Sequence, residues 1–323
     1  MKYRDSGVLI LLAAIWGLSY IFIRVAVPAF GPIGLALARV AIGSLGLLVW
    51  AGARGGLSQI PRINRRFLVL AMLNGVVPYS LIAFAELHVP ASLAGILNAT
   101  TPLFAAGLVA FLARERLHRE RLVGLLLGIG GVGVLVGWSP IPITGMVVLA
   151  GIAMLISSGS YGAATVFAKR QLGDVPAFGL AIGQQLSGTL LLTPLGAGFA
   201  LGGDADKGMT IKAVLAVVAL GLLCTSIGYL LYFHLIHAIG PVGTSTVTFL
   251  IPLFSILWGW LFLDEHIRPA MIIGLVLILA SVRLVNTARV VRREFRVSSF
   301  EFRVSSFEFR VSSFEKDSDT NRL

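Results

Sequence analysis

Long apolar segments alternate with short polar ones along almost the whole chain. Each apolar segment is close to the 20 or so residues that a helix needs to cross a bilayer. Ten such segments are present, and we expect each to form a transmembrane helix. They lie approximately at residues 7–26, 33–52, 67–86, 92–112, 122–138, 145–167, 177–199, 212–233, 242–263 and 269–287. The pattern predicts an all-α membrane protein without a separate soluble domain.

The first apolar segment follows the sequence MKYRDSG. A basic N-terminus before an apolar run is also typical of a signal peptide. We favour a first transmembrane helix, because more spans follow and no small-x-small cleavage site ends the run.

Basic residues in the polar segments predict the orientation, because cytoplasmic loops carry an excess of lysine and arginine. We place the N-terminus inside. The inner loops then hold Lys2, Arg4, Arg54, Arg62, Arg65, Arg66, Arg114, Arg116, Arg119, Arg121, Lys169, Arg170, Arg289, Arg292 and Arg293, and the outer loops hold Lys207, Lys212 and Arg268. This imbalance predicts a multi-pass protein of the inner membrane with both termini in the cytoplasm.

Composition supports the membrane assignment and excludes several functions. The chain is 57% hydrophobic and 13% charged, with a mean hydropathy of +0.90, whereas soluble domains are about 25% charged. The net charge of +11 resides in short loops, so we expect no nucleic-acid partner. Cys224 is the single cysteine and excludes an intrachain disulfide. The sequence has no P-loop, GxSxG or HExxH motif, so we expect no enzyme activity, cofactor or metal.

Two segments of the chain resemble each other at an offset of 150 residues. Residues 91–117 and 241–267 are both apolar runs with an internal proline and a carboxylate near the end. The offset pairs Pro102 with Pro252, Glu115 with Glu265, Gly124 with Gly274, and Tyr79 with Tyr229. A helix interrupted by proline at the same place in two halves is the best sequence indicator of a transporter's binding site.

A second offset, of 145 residues, extends the repeat towards the N-terminus. It pairs Trp16 with Tyr161, Arg24 with Lys169, and Arg39 with Gln184. Each half contains an odd number of predicted spans, so the second half must be inverted relative to the first. We predict two inverted five-helix repeats, at 1–143 and 144–288, followed by a tail at 289–323. A duplicated channel or scaffold would show the same repeat.

The chain resembles the EamA family of the drug/metabolite transporter superfamily. The resemblance rests on Trp16-Gly17, on Pro102-Leu-Phe with Glu115, and on Pro252-Leu-Phe with Glu265 and Gly274, and it covers residues 5 to about 288. It implies export or exchange of amino acids, metabolites or toxic compounds across the bacterial inner membrane. The halves depart from each other where Arg114 and Arg116 flank Glu115 but Asp264 and His266 flank Glu265.

Ionisable residues inside predicted spans are candidate functional residues, because a charge at the centre of a bilayer is expensive. Arg39 in the second span could bind an anionic cargo or pair with Glu86, or its side chain could reach the outer headgroups. Glu86 and His88 could exchange a proton and couple transport to a gradient. Alternatively, they form an ordinary polar end of the third span.

Polar and aromatic residues inside the spans are the other candidates for substrate binding. Proline displaces the carbonyl four residues earlier, so Asn98, Thr101 and Thr248 could contact a solute near the two prolines. Small hydroxyl residues also mediate helix packing, and aromatic residues also anchor spans at the interface. The remaining substrate-binding candidates are Trp16, Tyr20, Tyr79, Tyr161, Gln184 and Trp258.

Four residues are assigned structural roles: Pro102, Glu115, Pro252 and Glu265. We expect each glutamate to hold the turn that follows it. Glycines spaced by four in the fifth span permit close helix approach, which suits a monomer or a homodimer.

The tail contains three copies of EFRVSSF, at 294–300, 301–307 and 308–314. Their apolar spacing fits neither a coiled coil nor a helix face. We predict disorder or loose contact with membrane lipid.

These observations together predict a secondary transporter that exports small metabolites or amino acids by alternating access. The alternative is a non-transporting membrane protein, such as a lipid scramblase or a partner subunit.

Overall fold

The structure is a computed structural model and describes residues 3–113, 119–137, 144–201 and 209–287. Within these ranges the chain is helical, with short connections and no strand. The α-helices are α1 (Tyr3–Ala53), α2 (Arg65–Ala71), α3 (Val77–Glu86), α4 (Ala91–Asn98), α5 (Thr101–Ala113), α6 (Arg119–Gly137), α7 (Gly145–Gln171), α8 (Ala177–Leu201), α9 (Ile211–Ala219), α10 (Gly228–Ser245), α11 (Val247–Leu263) and α12 (Pro269–Thr287). The 3₁₀ turn Leu57–Gln59 follows α1. Two π-helical stretches, π1 (Met72–Val76) and π2 (Leu220–Ile227), join α2 to α3 and α9 to α10.

Helix α1 contains the first two predicted spans, one on each side of a kink at Gly31. Gly31 has φ 63° and ψ 166°, a backbone conformation that glycine adopts readily and other residues avoid. Pro28 and Pro32 lie on either side of it and weaken the helical hydrogen bonding there. The kink separates two arms of a helix that would otherwise be far longer than a bilayer is thick.

The prediction of an all-helical chain with several apolar helices is confirmed. Among the described residues, five helical segments are long and apolar enough to cross a membrane: Arg4–Ala53, Arg65–Glu86, Ala91–Phe111, Gly145–Gln171 and Ile211–Ile239. Leu126–Leu135, Val247–Leu263 and Pro269–Leu284 are shorter apolar helices. The count of ten spans and their inverted arrangement stay predictions.

The structure differs from the prediction between the eighth and ninth spans. The sequence pattern predicts a loop after residue 233, but α10 continues to Ser245 and the chain turns at Thr246. Leu235 is fully buried in a cluster with Leu9 and Leu12 of α1, and Ile239 packs against the same cluster. These contacts continue the apolar face of α10, and they explain why the helix extends through the predicted loop.

The helices pack as one compact unit, and they approach one another closely where glycine faces another helix. A Cβ atom on Gly95 of α4 would lie 2.1 Å from the Ser255 hydroxyl of α11. A Cβ atom on Gly17 of α1 would lie 2.6 Å from the Cβ atom of Phe254. Large apolar residues such as Phe111 and Ile211 are 79% and 72% exposed. Such a surface suits contact with lipid.

Candidate functional site

A cavity of about 560 Å³ lies between helices of both predicted halves. Its lining comes from α1, the α2–π1–α3 segment, α4, α5, α7, α8, π2, α10 and α11. The volume falls within the range of about 300–1,000 Å³ that is usual for small-molecule sites. The cavity is therefore large enough for a metabolite.

The structure brings nine of the ten predicted substrate-binding residues together in the cavity lining. They are Trp16, Tyr20, Arg39, Tyr79, Asn98, Thr101, Tyr161, Gln184 and Thr248. The two paired prolines, Pro102 and Pro252, line the same cavity. Binding of a substrate by these residues stays a prediction.

Trp258 is the predicted residue that does not belong to this lining. Its indole N–H donates a hydrogen bond of 3.0 Å to the carbonyl oxygen of Ala14. Its ring stacks on Phe254 at 5.9 Å and lies 5.8 Å from Phe262, centroid to centroid. Trp258 therefore attaches α11 to α1.

Arg39 is buried, with 8% of its surface exposed. Its Nε donates a hydrogen bond of 3.2 Å to the Thr225 hydroxyl, and its guanidinium carbon lies 3.9 Å from the centre of the Tyr79 ring. The Thr225 hydroxyl donates in turn to the carbonyl oxygen of Leu220, at 3.0 Å. Arg39 therefore points into the protein rather than to a headgroup layer, and its described hydrogen bond goes to Thr225 rather than to Glu86.

Gln184 is the repeat partner of Arg39, and both ends of its amide are hydrogen-bonded. Its Oε1 accepts from the Asn74 amide at 2.8 Å, and its Nε2 donates to the Tyr229 hydroxyl at 2.5 Å. Asn74 and Tyr229 also line the cavity. The predicted set of site residues lacks both of them. Asn74 is recognisable as an amide within an apolar span, and Tyr229 as the repeat partner of Tyr79.

Two of these polar contacts, Arg39 with Thr225 and Gln184 with Asn74, join one predicted half to the other through a π-helical stretch. Thr225 belongs to π2 and holds Arg39 of the first half. Asn74 belongs to π1 and holds Gln184 of the second half. Single-turn π-bulges inside α-helices are frequent at functional sites. The two π stretches therefore present polar side chains at the centre of the bundle.

The first proline coincides with an interruption of the helix. Helix α4 ends at Asn98 and α5 begins at Thr101, one residue before Pro102. The Asn98 carbonyl oxygen accepts a hydrogen bond of 2.8 Å from the Thr101 hydroxyl. One lone pair of the displaced carbonyl is therefore already satisfied within the protein. Pro252, in contrast, lies inside the continuous helix α11.

Aromatic side chains form much of the cavity wall. The Trp16 indole N–H donates a hydrogen bond of 3.1 Å to the carbonyl oxygen of Cys224, and this bond fixes the ring. The Trp16 ring lies 5.5 Å from the Tyr232 ring and 6.4 Å from the Tyr229 ring. These contacts give the cavity flat, rigid apolar surfaces beside its polar groups.

Glu265 connects the second half to the beginning of α4. Its carboxylate accepts hydrogen bonds from the backbone N–H groups of Ala91 and Ser92, at 2.8 and 3.0 Å, and from the Ser92 hydroxyl at 2.5 Å. A helix N-terminus has unsatisfied N–H groups and favours negative charge. We expected Glu265 to hold the turn that follows it, but the partner is a different helix. Glu115 lies outside the described residues.

Glu86 is close to the same end of the bundle and is 0% exposed. Neither oxygen of its carboxylate has a hydrogen-bond partner among the described residues. The nearby charged groups that act on it are Arg24, Arg39 and Glu265, and Arg24 also donates to its backbone carbonyl. His88 is half-buried, packs against the Phe84 ring at 5.2 Å and is not part of the described cavity lining. Exchange of a proton by these two residues stays a prediction.

The cavity extends towards one end of the bundle more than the other. Its lining includes Ile236 and Val247, and Val247 packs beside Leu9 near the beginning of α1. At the opposite end, Glu86 and Glu265 are absent from the described lining. The contacts of Arg24 with Glu86 and of Glu265 with Ala91 and Ser92 lie at this second end.

Groups of three or more histidine, cysteine, aspartate or glutamate side chains placed to hold a metal ion do not occur in the described part of the chain.

Comparison with known proteins identifies related transporters. The family model described as the EamA-like transporter family matches twice, at residues 6–137 and 148–287. A probable terminal-alkyne amino-acid exporter from Streptantibioticus cattleyicolor is 27% identical over 292 residues, which cover 88% of this chain and 94% of the relative. A probable amino-acid metabolite efflux pump from Salmonella typhimurium is 24% identical, over 92% of this chain and all of the relative. One crystal structure has the same fold, with a TM-score of 0.59 at 20% identity, and covers 88% of this chain and 98% of its own.

Proposed function

Because this chain belongs to the EamA-like transporter family, we propose that it exports a small organic solute from the cytoplasm by alternating access through the central cavity. The observation that carries the proposal is the composition of the cavity lining. Arg39 and Gln184 occupy equivalent positions of the two predicted repeats, and both line the same cavity. A site shared by both halves is the arrangement that alternating access requires.

Three features support the division into two inverted repeats. The family model matches each half separately. The 150-residue offset that pairs Tyr79 with Tyr229 also places π1 within the residue range of π2. Five predicted spans in each half require the second half to be inverted. The proposed boundaries remain 1–143 and 144–288.

The names of the relatives support export as the direction of transport, and the predicted topology is compatible with it. If both termini are cytoplasmic, the cavity extends towards the cytoplasm, and Glu265 closes the outer end. The protein would then rest in an inward-facing state in the inner membrane, ready to load a cytoplasmic solute. The names of the relatives from Streptantibioticus cattleyicolor and Salmonella typhimurium describe export of amino-acid compounds, which agrees with this direction.

Glu86 is the proposed site of coupling to protons. A buried carboxylate without a hydrogen-bond partner is costly in its charged form, so protonation is an available means of neutralising it. Its position beside the closed outer end would expose it when that end opens. Transport that depends on a proton gradient in wild-type protein and becomes independent of it in Glu86→Gln would support this role.

Counterflow in liposomes tests the proposed function. Purified protein is screened by thermal shift against amino acids and organic acids, and stabilising compounds are then examined for exchange across the liposome membrane. We expect saturable exchange that competing solutes inhibit and that Arg39→Ala and Asn98→Ala reduce. The control is Trp258→Phe, because this residue lies outside the cavity lining.

The alternative, a lipid scramblase or a non-transporting partner subunit, gives a different result in the same liposomes. A scramblase would move a fluorescent lipid between leaflets without solute exchange. A partner subunit would produce neither activity. Either result with correctly folded protein would overturn the transporter proposal.

A further inference from the structure

We propose that the cavity selects an organic anion with a single carboxylate on a flat apolar body, and that Arg39 binds the carboxylate. This inference rests on the proposed transport function and names the class of cargo for the same cavity. It separates monocarboxylates from zwitterionic amino acids, which carry an ammonium group in addition.

The first argument is the charge of the cavity. The described lining contains one basic residue, Arg39, and no aspartate, glutamate, lysine or histidine. No carboxylate among the described residues hydrogen-bonds it, and Glu86, which acts on it from nearby, is itself buried outside the lining. A cation without a hydrogen-bonded carboxylate in a desolvated site is unfavourable. A monoanionic cargo would neutralise this charge when it binds.

The second argument is the geometry of the guanidinium group. Among the described residues its hydrogen bonding involves Nε alone, with Thr225 as acceptor. The Tyr79 ring supports one face of the group at 3.9 Å. The two terminal nitrogens are thereby left for a ligand, in an orientation that Thr225 and Tyr79 determine. A carboxylate matches such a pair of donors with its two oxygens.

The third argument is the lack of a matching site for an ammonium group. A zwitterion bound through Arg39 would place its ammonium group in the same cavity, where the described lining offers no carboxylate. The Gln184 amide oxygen already accepts from Asn74. The Asn98 side-chain oxygen has no described partner and could accept from an ammonium group, but it is neutral. The ammonium group would therefore meet a neutral acceptor instead of a carboxylate, and its desolvation would reduce affinity.

The apolar body of the cargo is inferred from the remaining wall. Trp16, Tyr20, Tyr161 and Tyr229 line the cavity together with aliphatic residues. Aromatic rings favour stacked or edge-on contact with flat groups. A cargo with a ring or an unsaturated chain would therefore fit better than a hydrated polyol.

Four compounds that share a phenyl ring and a two-carbon linker test the proposal. They are 3-phenylpropionate, phenylalanine, 3-phenylpropanamide and 2-phenylethylamine. At neutral pH they are an anion, a zwitterion, an uncharged compound and a cation. Binding to purified full-length protein is measured through the quenching of tryptophan fluorescence and through thermal shift, and exchange is measured by counterflow. We expect 3-phenylpropionate to bind at least about tenfold more tightly than the other three, which corresponds to about 1.4 kcal/mol.

Variants at Arg39 give the decisive comparison. In Arg39→Gln the preference for 3-phenylpropionate over 3-phenylpropanamide should fall to about twofold or less. Arg39→Lys keeps the charge without the planar pair of donors and should retain an intermediate preference. Gln185→Met, a neighbouring buried glutamine outside the described lining, should leave the preference unchanged.

Several outcomes would overturn the proposal. Tighter binding of phenylalanine than of 3-phenylpropionate, an unchanged preference in Arg39→Gln, or no binding of 3-phenylpropionate to folded wild-type protein would each reject it. The proposed transport function is tested separately, because saturable exchange of any other solute in the wider screen would uphold it in all three cases.

Discussion

The 145-residue offset pairs Arg39 with Gln184 in the two predicted halves, but the environments of the two side chains differ. The Gln184 amide is hydrogen-bonded at both its oxygen and its nitrogen, to Asn74 and Tyr229. Among the described residues, Arg39 has one hydrogen bond, from Nε to Thr225, and an aromatic ring beneath its guanidinium group. Gln184 thus belongs to a satisfied polar network, whereas Arg39 keeps donors available on a charged group.

The difference shows how a duplicated fold acquires an asymmetric site. Both halves use a π-helical stretch to hold the polar residue of the other half, so the scaffold is shared. The chemistry is not shared, since one position carries a charge and the other does not. We infer that Gln184 contributes mainly to the stability of the interface between halves and that Arg39 contributes mainly to the binding of cargo. Two single variants, each with methionine in place of one of these residues, separate the two roles.

Replacement of Arg39 by methionine should have the largest effect on transport. The variant removes the charged contact with cargo in a desolvated site, and the loss of such a contact costs about 2–5 kcal/mol. We expect the initial rate of counterflow at low solute concentration to fall by at least about 30-fold. Thermal stability should remain unchanged or increase, because a buried charge without a carboxylate partner is removed.

Arg39→Lys is the matched control for this variant, since it preserves the charge and should retain part of the activity. A large loss of thermal stability in Arg39→Met would contradict the assignment of Arg39 to binding.

Replacement of Gln184 by methionine should mainly affect stability. It removes the Gln184 partner of the Asn74 amide and of the Tyr229 hydroxyl. A buried polar group left without a partner costs about 1–3 kcal/mol, and we expect the lower end of this range because both residues are half-buried. We expect the midpoint of thermal unfolding in detergent to fall by several degrees. The folded fraction should retain counterflow within about fivefold of wild type.

The neighbouring glutamine provides the control for Gln184→Met. Gln185 is 1% exposed, and its Nε2 has no hydrogen-bond partner among the described residues. Gln185→Met should therefore leave the thermal midpoint unchanged or raise it. Equal destabilisation by both substitutions would show that the network around Gln184 has no special role.

Replacement of Thr225 by valine should have a smaller effect on binding than loss of Arg39. The variant keeps the shape of the side chain but removes the acceptor that orients Nε of Arg39. We expect the affinity for 3-phenylpropionate to fall by about tenfold, because hydrogen bonds to charged groups contribute about 1.5–3 kcal/mol. Thr225→Ser should restore the affinity.

Ser226 tests whether the effect is specific to the contact with Arg39. Its hydroxyl lies near the carbonyl oxygens of Gly43 and Gly221 and is not part of the described cavity lining. Ser226→Ala should leave the affinity unchanged. A tenfold loss in this variant as well would attribute both effects to disturbance of π2.

Much of the candidate site was predictable because the hydrophobic pattern and the repeat are local properties of the sequence. Arg39 and Gln184 stand out as polar residues inside apolar spans, and the offset pairs them. The structure was needed for their partners, since Thr225 and Asn74 are specified by helix packing across the halves. Trp258 shows the limit of the same argument, because an aromatic residue inside a span can face a neighbouring helix instead of the cavity.

Glu265 shows why two residues that the repeat pairs in sequence need not make the same contacts in the structure. The repeat pairs it with Glu115 and suggests the same role for both, but the role depends on what each carboxylate meets. Glu265 meets two backbone N–H groups and one hydroxyl, at Ala91 and Ser92. The repeat partners of these residues are Pro241 and Val242. Proline has no N–H group and valine has no hydroxyl.

This difference predicts unequal effects when the paired glutamates are neutralised, and these are the smallest effects that we expect. Glu265→Gln weakens the contact at the end of the bundle that we propose to be the outer one, by about 1 kcal/mol for a charge at a helix N-terminus. The outward-open state should then be populated about fivefold more. Cys224 is the single cysteine, borders the cavity and is 1% exposed. Its labelling by a membrane-impermeant maleimide in right-side-out vesicles should therefore be slow and should rise with the population of this state.

Glu115→Gln should leave the labelling rate of Cys224 within twofold of wild type, because two of the three donors that hold Glu265 have no counterpart at Pro241 and Val242. A contact of Glu115 at the predicted cytoplasmic end would close the cavity in the outward-open state, so its loss would slow the labelling of Cys224. Slowing by Glu115→Gln as large as the acceleration by Glu265→Gln would show that equivalent contacts close the two ends. Slowing by Glu115→Gln that exceeds the acceleration by Glu265→Gln would reverse the proposed asymmetry and place the stronger closure at the predicted cytoplasmic end. The comparison of the two glutamates thus tests whether the halves differ in gating as they do in binding.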